Sequence, residues 1–151
     1  MLRINKLTDY GTLVLAELGR VADGVASAGQ LASDTGLAPT TVSKLLKSLA
    51  RAGLVTSARG PKGGYALARP ATEISAAAII DALDGPVAIT ECSSPGGLCE
   101  LEGQCQVGRA WQKINSSIRR ALKDISLADL QQLGRPIPVP DLKAGFNRHT
   151  D

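Results

Sequence analysis

Residues 27 to 67 constrain the fold most, because their caps and stops define two short helices and a hairpin. Ser27 and Gln30 have the Ser-x-x-Gln spacing of a capping box, which opens a helix that Gly36 can end. Pro39 suits the first position of the next helix, where its missing N–H costs nothing, and Gly53 suits the position past its end. The pattern predicts two helices joined by a tight turn.

The second of these helices has an apolar face and a polar, basic face. Its apolar residues recur at i, i+3, i+4 and i+7, as in a helix packed on a core: Val42, Leu45, Leu46 and Leu49. The opposite side carries Thr40, Lys44, Lys47 and Arg51, with Thr41, Ser43 and Ser48 at its margins. Helix, tight turn and helix with such an outer face are typical of a helix-turn-helix that enters the major groove of DNA. We expect the N-terminal members of this face to lie nearest the bases: Thr40, Thr41, Ser43 and Lys44.

A glycine-rich hairpin follows directly. Residues 54–57 read as a strand, residues 58–64 as a turn and residues 65–67 as the returning strand. Arg59 and Lys62 lie at the predicted tip. A basic hairpin after such a helix is typical of a winged helix, so both residues are predicted DNA contacts, Arg59 in a minor groove or at phosphates. An ordinary surface hairpin is the alternative.

The charge distribution favours a polyanionic partner. The net charge of +3 divides unevenly: residues 1–70 hold nine Lys/Arg against four Asp/Glu (+5), and residues 71–151 hold eight against ten (−2). Between Thr35 and Thr72 there is no acidic residue, while six Lys and Arg occur. A basic block in a folded segment indicates nucleic acid, whereas a merely solvated face would normally mix both signs.

The remaining elements complete a mainly α winged helix-turn-helix. Thr8 is predicted to cap a first helix, and Ser75 to begin another that ends before Gly85. A long helix follows from 107 to about 124, then a short one from Ser126 to Leu133. We divide the chain into a DNA-binding domain (1–85), a cysteine loop (86–106), a dimerisation helix with the terminal helix (107–133) and a disordered tail (134–151).

The long helix carries an apolar seam with 3–4 spacing. Its members are Trp111, Ile114, Ile118 and Leu122, and they form the narrow stripe typical of helix-on-helix pairing. A long helix beside so small a domain predicts a homodimer through this seam. Packing of the seam on its own domain is the alternative.

All three cysteines, Cys92, Cys99 and Cys105, lie within 14 residues of a glycine-rich loop. Three soft thiolates gathered in one loop suit an iron–sulfur centre or zinc. Structural zinc sites usually contain close cysteine pairs, which this chain lacks, and bare redox thiols are the third possibility. The odd cysteine number, with neither a signal peptide nor an apolar run long enough for a membrane span, predicts a cytoplasmic protein that does not associate with membranes.

The chain resembles bacterial transcription factors of the IscR/NsrR type, which respond to iron–sulfur clusters and nitric oxide. The resemblance covers residues 1–133, and its most specific part is Gly53-Leu-Val-Thr-Ser-Ala-Arg-Gly-Pro-Lys-Gly-Gly-Tyr65, which is similar to the family's wing. The start, Met-Leu-Arg-Ile-Asn-Lys-Leu-Thr-Asp-Tyr, is similar as well. Within the family the chain most resembles regulators of the SUF iron–sulfur assembly system. The resemblance implies a homodimeric, non-enzymatic repressor of assembly genes that binds operator DNA and holds a [2Fe–2S] cluster through the three cysteines.

The chain departs from the housekeeping Isc regulator at one ligand. That regulator has a histidine three residues after the third cysteine, where this chain has Gly108. A [2Fe–2S] cluster has four terminal ligand positions, so one remains open. The candidates are Asp9, Glu91, Glu100, Glu102, His149 or an exogenous molecule; the resemblance to nitric-oxide-sensing members at Thr8-Asp9 favours Asp9 from the partner subunit. Two other functions stay open: a nitric-oxide or thiol-sensing regulator of the same fold, and a small iron–sulfur electron carrier.

Overall fold

A computed structural model describes residues 3–97, 99–101 and 103–133. This part of the chain forms six α-helices and a two-stranded antiparallel sheet, which confirms the mainly α winged helix-turn-helix. In chain order the elements are α1 (Lys6–Leu18), α2 (Ala28–Thr35), α3 (Pro39–Arg51), β1 (Val55–Ala58), β2 (Gly64–Leu67), α4 (Ala76–Leu83), α5 (Gly108–Asp124) and α6 (Leu127–Leu133). Single 3-10 turns lie at Ala71–Glu73 and Glu91–Ser93.

Local capping explains most of the helix boundaries. Ser27 Oγ accepts a hydrogen bond from the Gln30 N–H at 3.1 Å, and Ser75 Oγ accepts one from the Ala78 N–H at 3.1 Å. Gly36 ends α2 in the left-handed conformation, with φ of 72°. Each of these boundaries agrees with the sequence prediction, because a cap depends on residues only a few positions apart.

The predicted start of α1 was wrong. Asn5, and not Thr8, caps the helix: its Oδ1 accepts from the Leu7 N–H at 3.1 Å, and helical backbone begins at Lys6. Thr8 lies inside the first turns of α1 and is buried. Both residue types cap helices well, so the preference for a cap alone could not choose between them.

The hairpin strands begin at other residues than predicted. β1 starts at Val55 instead of residue 54, because the Leu54 N–H bonds to the Leu49 carbonyl at 3.0 Å and so closes the end of α3. β1 pairs with β2 from Val55↔Leu67 to Ala58↔Gly64. Tyr65 also exchanges two backbone hydrogen bonds with Ala26, at 2.9 and 2.8 Å. The wing is therefore tied to the segment before α2.

The core lies between α1, α2, α3 and α4, and α6 completes it. Leu127 of α6 is 0% exposed and belongs to the same cluster as the apolar stripe of α3. Two backbone hydrogen bonds fasten this region, Ala76 N–H to the Ile125 carbonyl at 2.8 Å and Leu127 N–H to the Ile74 carbonyl at 2.7 Å. α6 thus packs on the winged-helix core, although the sequence groups it with the long helix.

A capping box at the start of α6 fixes its entry. Asp129 Oδ2 accepts from both the backbone N–H and the hydroxyl of Ser126, each at 2.8 Å, and Ser126 Oγ accepts from the Asp129 N–H at 3.1 Å. The backbone hydrogen bond, and then the hydroxyl, hold the pKa of Asp129 below its ordinary value. These bonds stabilise the first turn of α6.

The N-terminal half of the apolar seam of α5 is left exposed by its own domain. Trp111 is 44% exposed and Ile114 45%, while Ile118 and Leu122 are half-buried. The buried positions of α5, Gly108 and Asn115, lie off the seam. Within the part of the chain described here, no helix is long and apolar enough to cross a bilayer.

Candidate DNA-binding face and cysteine site

The outer face of α3 forms a shallow basic groove. It is lined by Pro39, Thr40, Ser43, Lys44 and Lys47. Thr41 is half-buried, and Arg51 is exposed one turn beyond Lys47. Because the opposite face of α3 is buried in the core, the side chains of the groove point outward on a rigid helix.

The cations of this face are free to meet an anion. Within the described residues the ion pairs are Arg20 with Glu17 and Arg119 with Asp81, and neither involves α3 or the wing. Lys44, Lys47 and Arg51 therefore keep their charge uncompensated by a neighbouring carboxylate. Uncompensated cations along one helix face are the electrostatic pattern of a phosphate-binding surface.

The wing places Arg59 and Lys62 on a tight, exposed turn. A side chain at Gly63 would overlap the Ala58 carbonyl, so the turn between the strands needs glycine at that position. The bridge between Tyr65 and Ala26 holds the hairpin against the helical domain. The fold thus brings the basic tip and α3 into one domain, as the sequence predicts.

Two of the three cysteines share a cavity. It has a volume of about 620 Å³ and is lined by Cys92, Gly103, Gln104, Cys105, Gln106, Gly108, Arg109 and Gln112. Cys99 is half-buried but is not among the lining residues. All three thiols are free. Within residues 3–97, 99–101 and 103–133, no three His, Cys, Asp or Glu side chains gather closely enough to hold a metal ion.

Cys92 lies in the 3-10 turn Glu91–Ser93, where the sequence predicts only irregular loop. Its Sγ is 3.2 Å from Thr90 Oγ1, and its carbonyl accepts from Gln112 Nε2 of α5 at 3.3 Å. Thr90 and Gln112 are not among the site residues predicted from the sequence. A hydroxyl two positions before a cysteine is the only signal that could have indicated Thr90, and none indicates Gln112.

Cys105 lies at the entry to α5. A Cβ placed on Gly108 would lie 3.5 Å from Cys105 Sγ, which is ordinary van der Waals contact. A side chain at residue 108 would therefore fit and would approach the thiol. Gly97 serves the loop differently, because a Cβ there would overlap the Glu91 carbonyl. The loop can pass close to its own 3-10 turn only with glycine at that position.

The candidates for a fourth ligand do not converge on this cavity. Asp9 lines a separate groove on the first turn of α1, together with Arg3, Ile4, Asn5 and Lys6. Glu91 and Glu100 are exposed, and neither lines the cavity. Glu102 and His149 lie outside the described residues. The predicted tail, 134–151, lies outside them as well.

Comparison with known proteins identifies the class. The family model Rrf2, described as an iron-dependent transcriptional regulator, matches residues 4–132. The chain belongs to the Rrf2 family. The sequence resemblance to regulators of the IscR type is confirmed by this match and by the structural neighbours below. This Rrf2 regulator is a DNA-binding transcription factor and not an enzyme, so the electron-carrier alternative is wrong.

The relatives match almost the whole chain. A Mycobacterium tuberculosis protein named as an HTH-type transcriptional regulator, Rv1287, is 30% identical over 99% of this chain and 100% of its own. The solved structure of CymR (YrzC), the global cysteine regulator of B. subtilis, is 30% identical with a TM-score of 0.69, covering 87% of this chain and 98% of CymR. T. potens IscR is 27% identical with a TM-score of 0.65, covering 95% of this chain and 96% of its own.

Proposed function

We propose that this Rrf2 regulator is a cytoplasmic homodimeric repressor of iron–sulfur assembly genes. It reads operator DNA with α3 and the wing, and a [2Fe–2S] cluster held by Cys92, Cys99 and Cys105 sets its affinity. One observation carries the proposal: the carbonyl of Cys92 is bound by Gln112 of α5, the helix whose exposed seam offers the dimer interface. The segment that carries Cys92 is thus hydrogen-bonded directly to α5, the proposed dimerisation helix.

The donor set fits a cluster chemically. Three free, half-buried thiols lie in one segment, and two of them line the same cavity. Thiolates are the usual ligands of iron–sulfur clusters. Ligation by all three requires Cys99 to approach this cavity. The cluster itself would supply a centre that is lost or altered by oxidants and nitric oxide.

Among the described residues, no carboxylate or imidazole lines the cavity beside Cys92 and Cys105. Asp9 lies in its own groove on α1, so it could reach the cluster only from a second copy. Its carboxylate is a harder ligand than thiolate and would hold iron less tightly, which suits a sensor. Among the candidates that the structure describes we favour Asp9 of a second copy; Glu102 and His149, outside the described residues, and an exogenous molecule stay open.

Iron and sulfide content tests the cluster. Anaerobically isolated protein is expected to be coloured, with about two iron and two acid-labile sulfide per chain, as [2Fe–2S] requires. Cys92→Ala, Cys99→Ala and Cys105→Ala should each lose most of both, whereas Ser94→Ala in the same loop should lose neither. A colourless protein holding one zinc would contradict the proposal.

Adding a ligand at residue 108 is expected to strengthen the site. Gly108→His places an imidazole on a backbone position whose Cβ points at Cys105 Sγ, so it should fill the open position and slow cluster loss in air by about 10-fold or more. Gly108→Ala, which adds only the Cβ, is the matched control. The measurement is the decay of the visible absorption; equal decay in both variants would show that residue 108 does not face the iron.

We infer that the outer face of α3 enters the major groove of the operator DNA. Lys44→Ala should weaken operator binding by about 1–3 kcal/mol if the ammonium contacts a base, and should relax specificity at one position. Arg59→Ala should weaken it and reduce the salt slope by about one unit if the guanidinium meets phosphate. Fluorescence anisotropy at several salt concentrations measures both. Arg20→Ala is the control, because Arg20 belongs to neither α3 nor the wing and pairs with Glu17. Unchanged affinity in both test variants would exclude this docking.

A thiol-sensing regulator is the second candidate. Cys92 and Cys105 line one cavity without Cys99, and an oxidised form of Staphylococcus aureus CymR is among the structural neighbours, with a TM-score of 0.62 and 28% identity. Here two thiols would form one disulfide, releasing two protons and passing two electrons to a peroxide. A metal-free protein that loses operator affinity reversibly on peroxide treatment, with Cys92→Ser insensitive, would favour this candidate.

A further inference from the structure

One side of α5 carries three polar residues that contact the rest of the chain. Gln112, Asn115 and Arg119 are spaced three and four residues apart, so they lie on the same side of the helix. We call these three residues the polar stripe. At about 100° per residue, it lies roughly a quarter turn from the apolar seam. The stripe thus faces the chain's own domain, and the seam lies beside it with Trp111 and Ile114 exposed.

The first two members of the polar stripe hold the cysteine segment. Gln112 Nε2 donates to the Cys92 carbonyl at 3.3 Å, and Asn115 Oδ1 accepts from the Ile89 N–H at 3.2 Å. Asn115 is only 5% exposed, and a buried amide is costly unless it is hydrogen-bonded. α5 therefore positions the backbone of residues 89–92, which includes Cys92.

The third member contacts the DNA-binding domain. Arg119 Nη1 and Nη2 donate to Asp81 Oδ1 and Oδ2 at 3.4 and 3.2 Å, a bidentate pair with α4. α4 in turn packs against α1 and α3. Planar bidentate pairs fix relative orientation as well as distance. The polar stripe thus forms a continuous set of contacts from Cys92 to the helix that supports α3.

We propose that the polar stripe is the link through which the state of the cysteine segment reaches α3. This rests on the proposed function, in which that state sets operator affinity. When the segment around residues 89–92 rearranges, Asn115 and Gln112 shift α5, and Arg119 passes the shift to α4 and α3. Asn115 and Arg119 are positioning residues, since neither touches DNA or the thiols.

Arg119→Met tests the far end of the link. The quantity measured is the ratio of operator dissociation constants with and without the cluster. Arg119→Met should move this ratio toward one by about 2- to 5-fold, the range of a partly exposed ion pair, while cluster content stays unchanged. Arg120→Met is the matched control, because Arg120 is an exposed neighbour of equal charge. The swap Asp81→Arg with Arg119→Asp should restore part of the ratio. An unchanged ratio in Arg119→Met overturns the proposal.

Asn115→Ala tests the near end by amide hydrogen exchange, which needs no cluster. Loss of the acceptor should speed exchange at Ile89 by about 10-fold, while Asn115→Asp, which keeps an acceptor oxygen, should remain protected. Ser116→Ala, at an exposed neighbouring position, should have no effect. Unchanged exchange at Ile89 in Asn115→Ala overturns the proposal, since α5 would then not hold the segment.

Failure of the proposed function can be told apart from failure of the link. If wild-type operator affinity does not depend on the cluster, cluster sensing is wrong, and the link is then tested by alkylating the thiols with iodoacetamide. Alkylation should speed amide hydrogen exchange in α4 of the wild-type protein, but not in α4 of Arg119→Met. An α4 that is insensitive to alkylation in wild type overturns the link as well.

Discussion

Replacing Ile114 with aspartate is expected to convert the proposed homodimer to a monomer. Ile114 is 45% exposed and lies beside Trp111 on the seam of α5, so a single copy of the chain does not need its side chain to fold. In a dimer formed through this seam, the carboxylate would be buried between apolar surfaces at a cost of several kcal/mol. A cost of about 3 kcal/mol alone weakens association more than 100-fold.

Sedimentation velocity and circular dichroism together check this prediction. Ile114→Asp should sediment as a folded monomer with its helical signal intact. Ile118→Asp should also sediment as a monomer, but Ile118 is half-buried in its own chain, so this variant should lose folding stability as well. Val25→Asp is the control, because Val25 is exposed to a similar degree but lies outside the seam. A persistent dimer with normal operator affinity would mean that the chain assembles through another surface.

Truncating Leu127 to alanine is expected to give the largest loss of folding stability. Leu127 is 0% exposed, and its side chain lies in the same core cluster as Leu46 and Leu49 of α3. Removing a buried leucine side chain typically costs about 2–5 kcal/mol, which is the lost burial plus the cavity left behind. Since the free energy of unfolding of a domain of this size is roughly 5–15 kcal/mol, the variant should be only marginally stable.

Urea unfolding at a fixed chain concentration measures the loss, because assembly makes apparent stability concentration-dependent. Leu13→Ala is the control: Leu13 is 41% exposed on α1, so its truncation should cost far less. If Leu127→Ala were as stable as Leu13→Ala, α6 would contribute little to the winged-helix core.

The importance of Leu127 illustrates what periodicity leaves open. The sequence predicts a short helix beginning near Ser126, and the capping box with Asp129 forms as such a pattern should. It does not say which surface the helix covers. Gln131 Nε2 donates to the Ala16 carbonyl at 2.8 Å, across 115 positions of the chain, and no local pattern encodes such a contact.

The cysteine segment shows the same division. Its composition predicts a loop of metal-binding thiols; the three cysteines are free, and metal binding itself stays a prediction. Thr90 beside Cys92 Sγ, and the separation of Cys99 from the shared cavity, depend on how the loop folds against α5. Gln112 of α5 meets the Cys92 carbonyl across 20 positions of the chain, so residue types and spacing alone could not predict how the loop folds against that helix.

The sequence by itself determined the helix-turn-helix, the wing and the faces of α3, because caps, glycine turns and 3–4 periodicity act over a few residues. Local preference failed where two candidates competed, as at Asn5 and Thr8, or where a backbone hydrogen bond from Leu54 to the end of α3 moved the start of a strand. The tertiary structure alone decided what each face meets: α6 lies on the core, the polar stripe contacts the cysteine segment and α4, and Trp111 and Ile114 of the seam are left exposed. The physical reason is that a hydrophobic pattern specifies that a surface is to be buried, while the partner that buries it is chosen by packing across the whole fold.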